Sequence, residues 1–335
     1  MTQVIEAFRL FIESIEAAGR SEHTIRVYTS RLTPFIDFVG EETPIGHIEP
    51  EDLDAYMVKR RRQRKKKRGS VQVQGKLSEA TIAGDVNDLR RFFRWASNRG
   101  MVTRSPASHL VKPKYDPRQK NRAMSPEDFL AIVHEARARA QDGNAVDRRD
   151  LAIIALLGDT LARVGEVAKL KTADLSLDRP YEVGGIEVYE AEVNGKTGPR
   201  RVSFTEETAL YILDWLDHRP SARHGRLFVS LCRWHPYHAH PTCTACKGAG
   251  DPMTPSGIRQ MLKRMAERAG VEGRYNPHSI RHMGGQLYAT EYGLLVAQEK
   301  LGHTNSRTTE EFYYSGDSGK VRAATASLSL VSKQE

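Results

Sequence analysis

The sequence predicts a mainly α-helical protein with a small antiparallel β-sheet, in which a helical N-terminal domain precedes a mixed α+β domain. Three observations predict this fold. Apolar residues recur at helical spacing, and in one later stretch β-prone residues alternate with others on both sides of a turn. A polar segment that contains prolines divides the chain. With 335 residues, the chain is long enough to bury two cores. We expect domains at residues 1–112 and 123–335, joined by a linker at 113–122.

Four helices are predicted in the N-terminal domain. The first two end at Gly19 and Gly40, the third begins at Pro50, and the fourth ends at Gly100. The first, second and fourth carry an apolar face, and acidic residues suit the start of the third, so together they form a compact all-α unit.

In the second domain the spacing of the apolar residues changes from that of a helix to that of a strand and back. An apolar helix is expected to be interrupted at Gly158 and Asp159 and followed by a short helix from about Thr160. Residues 184–204 alternate around the turn NGKTGP, which predicts a β-hairpin with Lys196 at its tip. Three later helices are predicted in ETALYILDWL, PSGIRQMLKRMAERAG and HSIRHMGGQLYAT.

The charge of the chain indicates a polyanionic partner. The formal net charge is +9, and residues 59–70, KRRRQRKKKRGS, are nearly all basic. Such a run is expected to stay out of the core, either as a solvated loop or as a phosphate-binding arm, and its place inside a helical domain favours nucleic acid. No apolar run reaches about 18 residues and no secretory signal is evident, so we expect a cytoplasmic, nucleoid-associated protein without membrane partners.

Two pairs of residues share a spacing that suits phosphate recognition. Arg163 and Glu166 stand three positions apart, and His278 and Arg281 repeat that spacing, so each pair is predicted to share one face of a helix. A carboxylate that holds a guanidinium in place makes a rigid phosphate receptor.

Further reactive side chains complete a set for attack on a phosphodiester. Lys196 can protonate a leaving oxygen, and His303 precedes two adjacent phenols, Tyr313 and Tyr314. A phenol is a covalent nucleophile, and the arginines would neutralise the pentacoordinate phosphorane. No carboxylate cluster suited to magnesium stands beside them, so the expected transesterification needs no metal or other catalytic cofactor.

These motifs, in this order, resemble the tyrosine recombinase or phage integrase family. TLARVGEV resembles its first arginine box, GKTGPRRV its hairpin lysine motif, HSIRH its histidine-x-x-arginine box, and LGHTNSRTTEEFYY its final segment. The pattern from TIRVY through FFRWASNRG to SPASHL resembles the family's helical core-binding domain. The resemblance implies a SAM-like core-binding domain at residues 1–112 and a tyrosine recombinase catalytic domain at 123–335.

The resemblance also implies roles for individual residues. In the family, the arginines and histidines hold the scissile phosphate, the lysine is the general acid, and the tyrosine forms a 3′-phosphotyrosyl bond that makes ATP unnecessary. Carried over by position, the catalytic residues are Arg163, Lys196, His278, Arg281, His303 and Tyr313.

The chain departs from the family pattern in two places. Leu161 and Ala162 stand where the family has a glycine and an apolar residue before the arginine. Many members place the nucleophile nine residues after the last histidine, which is Phe312 here, whereas others place it ten residues after, at Tyr313. Tyr313 is therefore favoured over Tyr314.

All three cysteines lie in one insert at about residues 230–250. Their spacing is typical of a structural zinc site that leaves no open coordination position. The candidate ligands are Cys232, His235, Cys243 and Cys246. His238 and His240 are competing ligands, and a loop of reduced thiols without metal is the alternative.

The resemblance implies a site-specific DNA recombinase that acts on double-stranded recombination sites as a tetramer on two sites. Accessory DNA-bending proteins are further candidate partners. Two alternatives stay open, a catalytically silent DNA-binding protein and a DNA-relaxing enzyme similar to type IB topoisomerases.

Overall fold

The computed structural model describes residues 1–63, 75–115, 124–141, 143–195, 198–220, 222, 224–232, 249–273 and 275–302. The chain divides into two compact units, Met1–Pro117 and Arg118–Glu335. No helix among the described residues is long and apolar enough to cross a membrane.

The first unit contains the four predicted helices. They are α1 (Val4–Ala17), α2 (Glu22–Val39), α3 (Pro50–Arg62) and α4 (Glu79–Asn98), with a 3-10 turn at Ile45–His47. Gly40 ends α2 with a φ of 91°, which an L side chain rarely adopts. Pro50 occupies the first turn of α3, where its missing N–H leaves no helical hydrogen bond unmade.

Aromatic rings fill the core of the first unit. Phe11 meets Phe92 edge to face at 5.5 Å between ring centroids, and Phe35 meets Phe93 at 5.8 Å. All four rings are buried. Edge-to-face pairs add to the free energy of burial, so these rings fix how α1, α2 and α4 pack.

The basic run is partly buried at its start, which corrects the expectation that it stays outside the core. Its first residues extend α3 to Arg62, and Arg60 donates from Nε and Nη2 to Oδ2 of buried Asp85 on α4, at 3.0 and 2.8 Å. Burial raises the pKa of Asp85, although Arg60 opposes that shift. Helix α3 lies beside α4, so a guanidinium can be buried there with its counter-ion.

The second unit is helical around one small sheet. Its helices and strands are α5 (Pro126–Gln141), α6 (Ala145–Thr160), α7 (Val164–Lys169), β1 (Leu175–Val183), β2 (Ile186–Gly195), β3 (Gly198–Thr205), α8 (Glu206–His218), α9 (Pro255–Arg268), α10 (Pro277–Glu291) and α11 (Leu294–Leu301). Thr172–Asp174 form a 3-10 turn. The strand order is β1-β2-β3. This is the mainly α fold with a small antiparallel sheet that the sequence predicts.

The predicted hairpin is β2 and β3, and its two strands pair from Val188 with Thr205 to Gly195 with Gly198. Strand β1 was missed by the sequence pattern. Pro180 interrupts its alternation, and the pairing of β1 with β2 shifts register between Ser176 and Tyr181.

The predicted interruption of α6 at Gly158 and Asp159 is wrong. The helix continues to Thr160 and ends at Leu161, whose φ of 51° and ψ of 25° are left-handed. Gly158 serves close packing instead, since a Cβ there would lie 2.5 Å from Cζ of Phe129. The chain therefore turns at Leu161, two residues before Arg163, and the short helix begins at Val164, not at about Thr160.

Candidate active site

Arg163 is held by Glu166 through a helix cap. It stands at the N-cap of α7 with an extended backbone, so it is not on the helix itself as predicted. The carboxylate of Glu166 accepts the backbone N–H of Arg163 at 2.8 Å and its Nη1 at 3.0 Å. Arg163 and Glu166 are therefore paired as predicted, but through a helix cap. The cap forms because the preceding helix ends at Leu161 and the next one begins after Arg163.

Glu166 also binds a second arginine, Arg200 of β3, whose Nη2 donates to Oε2 at 3.0 Å. Glu166 is only 3% exposed. Burial alone would raise its pKa, but the backbone N–H of Arg163 and the guanidinium of Arg200 outweigh burial and hold the pKa below its ordinary value. Glu166 is therefore an ionised anchor shared by two guanidinium groups.

Arg200 was not predicted as part of the site, although the sequence carried a signal. Along β3, Val202 and Phe204 are buried, and the period of two places Arg200 on their side of the strand. An arginine on the buried face of a strand needs an anion, and Glu166 is that anion.

The hairpin lies directly against this anchor. A Cβ on Gly195 would lie 2.3 Å from Oε1 of Glu166, so no larger residue fits there without displacing the carboxylate. Gly195 pairs with Gly198 across the tip. Lys196 lies outside the described residues, and Gly195, which precedes it in the chain, lies beside Glu166.

Arg281 joins three parts of the second unit. It is 3% exposed on α10, and it donates from Nη1 to the carbonyl of Leu161 and from Nη2 to that of Leu301. Gly284, one turn later, packs against Leu161 so closely that a Cβ would lie 2.2 Å from Cδ2. The turn before Arg163 and the end of α11 are thus both tied to α10.

His278 stands in the first turn of α10, where Oδ1 of Asn276 accepts its backbone N–H at 2.9 Å. The residue is exposed, yet desolvation by the surrounding protein lowers the pKa of its imidazole. The positive charges of Arg281 and Arg163 lower that pKa further. His282, one turn along, places its Nε2 3.1 Å from Nε2 of His278. This second histidine was not predicted as a site residue, although its i+4 spacing was visible.

The end of α11 is fastened to β3. Lys300 donates from Nζ to the carbonyl of Ser203 at 3.0 Å. Gly302 is left-handed with a φ of 60°, and a Cβ there would lie 2.6 Å from Cδ of Arg200. The chain thus leaves the described residues, directly before His303, from a point beside Arg200.

The structure describes four of the ten predicted site residues. Arg163, His278 and Arg281 are brought together, and Cys232 is buried. The others lie outside the described residues: Lys196, His303, Tyr313, His235, Cys243 and Cys246, together with the alternatives Phe312, Tyr314, His238 and His240. No cluster of three metal-ligating side chains occurs in the part of the chain that is described.

Two sequence models of one family match the chain. The model of the phage integrase family matches residues 106–318, and that of the phage integrase N-terminal SAM-like domain matches residues 8–100.

Curated proteins match along nearly their whole length. A tyrosine recombinase of Thermosipho africanus (strain TCF52B) is 24% identical over 324 residues, which cover 96% of this chain and 99% of the relative. The tyrosine recombinase XerD of Ralstonia nicotianae (strain ATCC BAA-1114 / GMI1000) is 28% identical over 321 residues, covering 92% of this chain and 88% of the relative.

Solved structures share the fold. The Tn1549 transposon integrase in complex with circular intermediate DNA superposes with a TM-score of 0.67 at 17% identity, covering 97% of this chain and 99% of that one. XerH bound to palindromic difH superposes with a TM-score of 0.65 at 19% identity, covering 92% and 81%.

The chain therefore belongs to the phage integrase family. It is a tyrosine-type site-specific recombinase, a class whose catalysis needs no cofactor.

Proposed function

We propose that this recombinase cuts and rejoins double-stranded DNA at specific sites through a 3′-phosphotyrosyl intermediate, without ATP. The observation that carries the proposal is the convergence of Arg163, Arg281 and His278 around a capped turn whose one buried carboxylate, Glu166, is already shared by two arginines. The cluster keeps an excess of positive charge, which suits a phosphate.

The proposal gives each described residue a role that its contacts support. Arg163 keeps a side chain that is 39% exposed while Glu166 holds one edge, so its other donors can bind a phosphate oxygen. Arg281 stabilises the same oxygens from the buried side, and neutral His278 donates a hydrogen bond. These donors stabilise charge that develops on the phosphorane.

The covalent step uses residues outside the described part of the chain. The phenol oxygen of Tyr313 attacks phosphorus, the bond from phosphorus to the 5′ oxygen breaks, and Lys196 protonates the leaving oxygen. His303 assists at the phosphate. A free 5′ hydroxyl later attacks the phosphotyrosine and releases the tyrosine, so the bond energy is conserved.

DNA is bound on two sides in this proposal. Residues 1–112 contact one face of the duplex, 123–335 contact the other, and the basic run adds phosphate contacts that weaken with salt. A tetramer on two sites, assisted by DNA-bending proteins, would act at the nucleoid in the cytoplasm. Support comes from neighbours of the same fold, such as a lambda integrase dimer bound to a COC′ core site, which has a TM-score of 0.64.

The test is capture of a nicked suicide duplex that traps the covalent complex. We expect Tyr313→Phe to abolish the adduct, and Tyr314→Phe, which removes the neighbouring phenol, to retain it. Loss only in Tyr314→Phe would move the nucleophile by one residue, and an adduct in both single variants and in the double variant would end the tyrosine mechanism.

A plasmid assay separates recombination from simple relaxation. A recombinase exchanges strands only when two sites are present, whereas an enzyme that resembles a type IB topoisomerase relaxes a supercoiled plasmid without paired sites. Efficient relaxation of a plasmid that lacks any site would contradict the proposal.

We also propose a structural zinc in the insert. Ser230 donates to the carbonyl of Asp251 and accepts from Gly250, both at 2.7 Å, so the two ends of the insert lie side by side. Cys232 is buried near the start of the insert. Because the two ends of the insert are adjacent, its later cysteines can approach Cys232 and bind the same metal ion. Residues Cys232, His235, Cys243 and Cys246 would hold the metal, which would stabilise the loop.

Elemental analysis tests the zinc, with about one zinc expected per chain. Cys243→Ser should lose it, whereas His238→Asn, a change in the same segment, should keep it. A folded wild-type protein without zinc would remove the proposal, and loss in His238→Asn would replace His235 in the ligand set.

A further inference from the structure

Two imidazole rings of α10 share one contact. Nε2 of His282 lies 3.1 Å from Nε2 of His278, and the ring centroids are 4.4 Å apart with the planes at 69°. His282 is 5% exposed, whereas His278 is exposed. The inner ring is therefore fixed by packing, and the outer ring is oriented by the inner one.

The hydrogen bond between the two nitrogens can use one proton only. One Nε2 must donate and the other must accept, because two donors facing each other at 3.1 Å would repel. If His282 donates, the neutral ring of His278 must carry its own proton on Nδ1. The choice of donor thus sets which nitrogen of His278 can offer a proton outward.

The charged groups around the pair favour a neutral outer ring. On α10 itself Arg281 is adjacent, and from the start of α7 Arg163 also acts on His278. Two guanidinium groups therefore act on His278 and oppose its protonation.

We propose that His282 is a positioning residue that donates to His278 and thereby fixes His278 as an Nδ1–H donor towards the scissile phosphate. The inference rests on the proposed function, in which His278 faces that phosphate. An anionic oxygen needs a donor, and the opposite tautomer would present a lone pair to it. At metal sites, residues that hydrogen-bond to a metal-binding histidine fix its tautomer and orientation in the same way.

The tautomer of His278 can be read directly from the wild-type protein. Long-range ¹H–¹⁵N spectra of protein labelled in its imidazoles should show neutral His278 protonated at Nδ1. An Nε2–H form of His278 in the wild type would overturn the assignment, whether or not the protein reacts with DNA.

Two variants test the consequence for the reaction. In His282→Gln the side-chain amide reaches the position of Nε2, whereas in His282→Asn it reaches only that of Nδ1. We expect His282→Gln to form the covalent adduct within about threefold of the wild-type rate. We expect His282→Asn to slow it by about 10-fold to 100-fold, with His278 reverting to the Nε2–H tautomer.

Binding of an intact duplex and the thermal midpoint serve as controls, and both should change little in His282→Gln. Equal adduct rates in the two variants would refute a positioning role. If His282→Asn does not fold, the wild-type and His282→Gln spectra and rates decide the question. Absence of an adduct in the wild type would instead count against the proposed function, while the wild-type tautomer still tests the histidine pair.

Discussion

Arg200 donates to the buried carboxylate of Glu166 at 3.0 Å, although the two residues are 34 positions apart in the chain. The same carboxylate holds Arg163. This contact connects the β-hairpin to the turn that presents the first arginine, so the placement of Arg163 depends on a strand that does not adjoin it in sequence.

Replacing Glu166 by glutamine should lower both stability and activity. The amide has a similar shape but no charge, so two guanidinium groups lose their counter-ion. Removing one partner of a buried ion pair costs about 3–5 kcal/mol of stability. The amide can still accept hydrogen bonds from the arginines, so the loss in this variant should be smaller than that. Chemical unfolding and the rate of covalent capture measure the two effects.

An ion pair between β2 and β3 supplies a matched control, because Arg201 is the residue next to Arg200. Glu190→Gln removes the partner of Arg201, whose side chain is largely exposed and lies 3.4 Å away. An exposed pair contributes at most about 1 kcal/mol, so this variant should unfold like the wild type. Equal losses in Glu190→Gln and Glu166→Gln would contradict the role given to Glu166.

The contribution of Glu166 should depend on pH. Its pKa is lowered in the folded protein, so the unfolded chain binds more protons at low pH. The stabilisation is present above the ordinary glutamate pKa of 4.5 and is lost as pH falls through the lower pKa of the folded state. The difference in unfolding free energy between wild type and Glu166→Gln should therefore shrink as pH is lowered below 4.5. A constant difference would count against this anchor.

Gly284→Ala should disturb the acceptor of Arg281. The new Cβ would lie 2.2 Å from buried Leu161, whose carbonyl Arg281 binds. Overpacking of this kind costs about 1–3 kcal/mol, and the displaced turn should slow covalent capture. Gly165→Ala in α7 is the control, because nothing lies within 4 Å of its Cβ. Thermal unfolding of Gly284→Ala at the wild-type midpoint would show that the contact is not tight.

Arg60→Met tests the partial burial of the basic run. Buried Asp85 would lose the guanidinium that opposes the rise in its pKa, so we expect a loss of about 3 kcal/mol or less in the unfolding free energy. Glu79→Gln, which removes the half-exposed partner of the adjacent Arg61, should change it by less than about 1 kcal/mol. If both variants unfold alike, Arg60 is not buried with its counter-ion in solution.

Local patterns in the sequence were enough to predict much of this structure. Helical spacing and stop glycines predicted α1 to α4, and alternation around NGKTGP predicted β2 and β3. The resemblance of ordered motifs to the phage integrase family was confirmed, as was the mainly α fold. Strand β1 and the true end of α6 were missed, since Pro180 obscured the alternation and Gly158 resembled a helix stop.

The sequence by itself determined the kind of chemistry, because residue types and their order are local properties that survive without coordinates. Only the tertiary structure decided which partners hold those residues. Arg281 binds a carbonyl 120 positions away, Arg200 of β3 binds Glu166 of α7, and Arg60 is partly buried against α4. The physical reason is that burial of a charge depends on where its counter-ion or acceptor lies in space, and no spacing along the chain fixes that distance.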